Sequence, residues 1–185
     1  RKSDEEARKL AQENATLAEI GRIISSTLNI EEIYERFAEE VKKTISFDRI
    51  AVTNINPKDH TATTTYISGI HMGGRQKGEV FSLARSITEE VWRTRSSLFV
   101  QPKDPKEIQE AIDRFPFFLS SFQAGFRSLM SVPLISKDKV FGALHLRTSK
   151  PNAYSGNDLR FCERISLQIS GGIANAQLFA ARQQA

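Results

Sequence analysis

Residues 127–146, RSLMSVPLISKDKVFGALHL, decide the reading of the fold. They form two extended runs joined by the polar turn SKDK at 136–139. The even positions hold Met130, Val132, Leu134, Val140, Gly142, Leu144 and Leu146, all apolar. The odd positions mix Leu129, Ser131, Pro133, Phe141 and Ala143 with His145 and, one step beyond, Arg147. Strand side chains alternate between faces, so this hairpin has one apolar face and one mixed face. A fully wet face has no use for Leu129, Pro133, Phe141 and Ala143, so the mixed face is expected to lie under a cover.

The neighbouring segments extend the pattern. Upstream, FDRIAVTNI (47–55) and TATTTYIS (61–68) read as strands around the turn NPKDH. Ile50 and Val52 share the apolar parity of the hairpin, while Arg49, Ala51, Thr53 and Ile55 take the mixed parity. Gly69 to Gly78 reads as a glycine-rich loop, SITEE as a helix start capped by Ser86, and SLFV (97–100) as a brief strand. Residues 101–126 form a long connection with a helix in PKEIQEAIDRF and an aromatic run; connections of this length are usually binding loops or lids. Downstream, SGND caps a last helix at Ser155, with a stripe of Leu159, Cys162, Ile165, Ile169, Ile173, Ala176 and Ala180. Gly171 and Gly172 interrupt it at a cost of about 1 kcal/mol each relative to alanine, which predicts a close neighbour there.

The first 28 residues are helical and highly charged, with Leu10, Asn14, Leu17, Gly21, Ile24 and Leu28 at coiled-coil spacing. Asn29 then caps a second helix running to about Ile45. The order of elements gives an α+β domain on a mainly antiparallel sheet. The expected division is a signalling helix or coiled-coil linker at 1–28, a domain at 29–178 and the start of a further helical linker at 179–185. The chain opens at Arg1 in mid-pattern, which reads as a fragment of something longer.

Bulk properties narrow the function. The 26 basic and 22 acidic residues, net +4, are spread along the chain, so no nucleic-acid partner is expected. FPFFLSSF (115–122) is too short to span a membrane, and a cytoplasmic location is expected. A lone cysteine, Cys162, excludes a disulfide framework, and the three histidines lack metal-ligand spacing, so no metal site is expected.

In this order the motifs resemble a GAF domain, the small-molecule and regulatory module of many signalling proteins. The resemblance covers roughly residues 17–178. It rests on the entry segment LAEIGRIISSTLNIEEIYERFAEEVKKTISFDRIAV, the middle segment SLARSITEEVWRTRSSLFV with Ser96 where glycine is common, and GFRSLMSVPLISKDKVFGALHL followed by AYSGNDLRF. It implies a GAF/PAS-like sheet of five to six strands, with terminal helices on one face and a loop-covered pocket on the other. The parent protein would be a sensor histidine kinase or a related signalling protein, with other domains of the same polypeptide as partners.

Candidate ligand residues are then Arg49, Thr53, Ser131, His145 and Arg147 from the mixed face, with Phe118 and Phe122 from the aromatic run, which also offers Phe115 and Phe117 as cover. The ligand is an unknown small molecule; no cofactor is expected. Leu10, Leu17, Ile24, Ile169, Ile173 and Ala176 are the expected homodimer contacts of the terminal helices. A ligand-free dimerising spacer is the alternative. Cyclic-nucleotide binding is a minor one, because Ser149, Lys150, Tyr154, Asp158 and Leu159 keep only the lysine and aspartate of that subfamily's pattern. Haem binding through His145, a bilin on Cys162 and the two-thiol chemistry of free methionine sulfoxide reductase find no further support, and no catalytic residues are expected.

Overall fold

A computed structural model describes residues 1–184. Of the stretch expected to start a linker, 179–185, residues 179–183 continue the last helix and residue 185 lies outside the described residues. The elements run α1 (Lys2–Ser26), α2 (Ile30–Lys42), β1 (Arg49–Asn56), β2 (Thr61–Gly69), β3 (Val80–Ser82), α3 (Ile87–Thr94), β4 (Leu98–Val100), α4 (Pro105–Arg114), α5 (Phe118–Gln123), β5 (Ser128–Ser136), β6 (Lys139–Thr148) and α6 (Gly156–Gln183). The strands form one antiparallel sheet in the order β3-β2-β1-β6-β5-β4.

Side chains cap the starts of α2, α3, α4 and α6, and those of Asn29, Ser86 and Ser155 are the ones expected from the sequence. The Asn29 side chain accepts the Glu32 N–H, Ser86 accepts that of Glu89, and Asp104 accepts that of Glu107 with Pro105 in the first turn. Ser155 and Asp158 form a reciprocal capping box at α6. The hairpin turn is tighter than a four-residue loop. Lys137 and Asp138 both take left-handed φ, 51° and 63°, as a two-residue turn between twisted strands requires.

The two faces of the hairpin separate as the alternation demands. Met130, Val132, Leu134, Leu144 and Leu146 join Ile50 and Val52 in a core under α1, α2 and α6, with Ile33, Phe37, Val41, Ile165, Ile169 and Ile173. Pro133 keeps its register opposite Ala143, and the irregularity in β5 falls later, between Leu134 and Ile135. β4 pairs only with 129–131, so Pro133 has a strand neighbour on the β6 side alone, the kind of edge position where proline is tolerated. A smaller core on the other face joins Leu129 and Ala143 to Ile87, Val91, Phe115 and Phe118 from α3, α5 and the turn before α5.

The terminal helices lie side by side and run in the same direction. Lys9 meets Asp158 near their starts, the Gln168 amide donates to the Leu17 carbonyl at 2.9 Å midway, and Ile24 meets Gly172 further on. A side chain at Gly172 would press within 2.9 Å of Ile24, which is the close neighbour its glycine predicts; Gly171, by contrast, faces open space. Two elements escaped the sequence reading. β3 is three residues long with Val80 largely exposed, and α5 is a single short helix inside the aromatic run.

Candidate ligand-binding site

On the face opposite the terminal helices, β1 and β6 build the floor of a cavity. Their register sets Arg49 opposite Arg147, Ala51 opposite His145 and Thr53 opposite Ala143. β2 contributes Thr64, the glycine-rich loop Met72 and Arg75, the start of α3 Ser86, Ile87 and Thr88, and the aromatic run Phe115, Phe117 and Phe118. The space left among these side chains is about 30 Å³. At about 10–15 Å³ per water-sized occupant, it holds about two such groups.

His145 is the hub of the floor. Its Nδ1 lies 2.6 Å from the Ser131 hydroxyl, and its Nε2 lies 3.2 Å from that of Thr53 and 3.3 Å from that of Thr88. Thr53 and Thr88 also meet each other at 3.1 Å. This network ties β5, β6 and β1 to the first turn of α3. Burial, with Arg147, Arg75 and Arg49 close by, holds the imidazole well below its ordinary range. It is therefore neutral near pH 7, with one N–H to give and one lone pair to receive.

Four arginines supply the charge. Arg49 is 2% exposed; one guanidinium N–H donates to the Ile70 carbonyl at 3.0 Å, and its buried Nε has no partner among the described residues. Arg147, 7% exposed, donates from Nε to the Ser121 hydroxyl at 3.3 Å. Burial, followed by its arginine neighbours, pulls Arg147 down to about 9, which still leaves it charged near neutrality. Arg75 lies between the rings of Phe81 and Phe117, 3.4 and 4.1 Å from their centroids. Gly74 precedes it at φ 73°, and a Cβ there would strike Phe117, so only glycine lets the loop close this tightly. Arg85 bonds the Asp113 carbonyl at the rim. Among the described residues the cavity wall holds no Asp or Glu.

The structure thus brings Arg49, Thr53, Phe118, His145 and Arg147 to one cavity. Ser131 acts from beneath, through His145. Phe122 is displaced: its ring lies 4.0 Å from the Arg127 guanidinium and packs on the smaller core, outside the cavity wall. Arg75, Arg85, Thr64 and Thr88 carry no local signal of the site, being loop arginines, one of several threonines along β2 and a threonine in the first turn of a helix. The terminal-helix assignments need a correction. Leu17 and Ile24 are partly buried against this chain's own core, and Ile169, Ile173 and Ala176, buried within it, do not present an open surface to a second chain. Leu10 does, with Leu167, Leu178 and Phe179.

A family model for the GAF domain matches residues 27–174. The chain belongs to the GAF domain family. Solved structures share the fold. That of an Acinetobacter phosphoenolpyruvate-protein phosphotransferase superposes at TM-score 0.71 with 16% identity, covering 91% of this chain and 97% of that one. The GAF domain of a Bacillus halodurans two-component sensor histidine kinase gives 0.70 and 18%, covering 83% and 99%. Free methionine-R-sulfoxide reductase from Neisseria meningitidis, in complex with its substrate, gives 0.69 and 12%, covering 90% of each. A comparison with curated proteins gives no match.

Other chemistry expected of some GAF domains falls elsewhere. Tyr154 and Leu159 pack in the helix-side core; the Tyr154 hydroxyl donates to the Ser46 carbonyl and Asp158 is engaged in capping α6. Cys162 lies in the same core, its thiol pushed up to about 12 by burial, which makes it a packing residue. No helix among the described residues is long and apolar enough to cross a membrane.

Proposed function

We propose that this GAF domain is a non-catalytic, cytoplasmic sensory module that binds a small molecule between its sheet and the α4–α5 segment. The observation that supports this reading is the cavity itself: buried hydrogen-bonding side chains on a rigid sheet, roofed by aromatic rings from a long connection. The space is too small for a metabolite, so an occupant would displace the roof. A ligand that prefers the displaced roof shifts the population toward it, and without that difference in affinity no signal results. The change would pass to a dimer of the terminal helices and on to an output domain such as a histidine kinase. A thermal-shift screen across nucleotides, amino acids and tetrapyrroles tests the reading, with stabilisation by one class expected.

The near-closure of the cavity favours a second reading, a ligand-free dimerising spacer. No stabilisation by any class would favour the spacer.

A further inference from the structure

Arg49 and Arg147 face each other across a central strand pair, both buried. Like charges directly opposite on neighbouring strands repel, and burial weakens the water that would screen them. Proteins normally balance such a site with a carboxylate. Among the described residues no carboxylate pairs with Arg49 or Arg147. Asp48, next to Arg49 in sequence, is taken up by the Thr148 and Ser149 hydroxyls and the Ser149 N–H at the end of β6. Glu79, whose charge acts on Arg75 without forming an ion pair with it, receives the Gln76 N–H. Arg75 adds a third guanidinium, and the Nε of Arg49 is an unused donor in the buried floor. At the wall, Ser86 caps the Glu89 N–H, while the N–H groups of Ile87 and Thr88 have no acceptor within their own helix.

We infer that the ligand is an organic oxyanion, a carboxylate or phosphate compound whose charged group sits between Arg49 and Arg147 and supplies the missing counter-charge. This rests on the ligand-binding reading and names the chemistry it requires. Arg75, braced between Phe81 and Phe117, closes over the group from the loop side. Neutral His145 keeps the floor in shape without competing for the anion. The rest of the ligand lies toward Phe115, Phe117 and Phe118, where the roof must lift.

The test is a titration of this chain with inorganic phosphate and with succinate, each against chloride at equal ionic strength and against succinamide, the neutral analogue of succinate. Melting temperature and the Nε–Hε resonance of Arg49 are followed together. The expected result is a saturable rise in melting temperature with at least one oxyanion, tracked by the Arg49 resonance, and none with succinamide. Arg147→Gln weakens that response about tenfold or more. A response that succinamide shares, or that survives Arg147→Gln, overturns the inference; so does a wild-type protein that answers no oxyanion beyond chloride, a result independent of whether the variant folds. Stabilisation by a neutral compound of the wider screen, with no oxyanion response, would overturn the oxyanion alone and leave the pocket standing. Silence to both classes would remove both.

Discussion

His145 shows how one side chain can set both shape and pH response. Unfolding would return its imidazole to an ordinary pKa of about 6.5, while the folded site holds it well below. The unfolded chain therefore binds a proton that the folded chain refuses. The stability this group contributes is complete above about pH 6.5 and falls as pH drops below it, by up to about 1.4 kcal/mol per pH unit. Urea unfolding between about pH 7.5 and 5.5 should show that loss, and His145→Gln should flatten the slope. Gly142 is the second residue-scale constraint. A Cβ there would collide with the Thr53 carbonyl on the adjacent strand, so Gly142→Ala should cost about 1–3 kcal/mol in chemical denaturation. The sequence marks Gly142 only as an apolar-parity position; its close approach to β1 becomes visible once the strands are paired.

At the scale of elements, the roof and the helices respond separately. Phe118 is 2% exposed in the smaller core, so Phe118→Ala should cost about 3–5 kcal/mol. Hydrogen exchange should then quicken across α4 and α5 while the helix-side core around Ile165 and Ile169 stays protected. An unchanged roof would mean that Phe118 does not hold it. Much of this architecture is legible beforehand because its signals are local. Alternation in 127–146 assigns both faces of the hairpin, and Asn29, Ser86 and Ser155 announce three helix starts by their own side chains. What was hidden depends on distant partners. β3 exists because Val80–Ser82 pairs with Thr61–Thr63, and Arg75 reaches the cavity because two left-handed residues, Gly74 and Arg75, fold their loop onto Phe117. The heptad spacing of the first helix picks the wrong stripe, because spacing alone does not say which surface covers it: the core takes Thr16, Ile20 and Ile23, Leu17 and Ile24 flank them partly buried, and Leu10 and Leu28 stay exposed.

At the scale of the molecule, the parallel pairing of α1 and α6 leaves a small set of apolar side chains outside. Leu178 and Phe179 are half-exposed near the end of α6, beyond the reach of the core. If the terminal helices dimerise, sedimentation should report a dimer for the wild-type chain and a monomer after a joint Leu178→Glu and Phe179→Glu change, with the fold intact because neither side chain is buried. A wild-type monomer would leave the helices without that role. The nearly filled cavity adds a constraint on time. An occupant larger than about two water-sized groups cannot enter until the aromatic roof parts. The observed association rate should then stop rising with ligand concentration and level off at the rate of roof opening. Such a receptor would respond no faster than its own breathing, and would pass over fluctuations in ligand supply briefer than that.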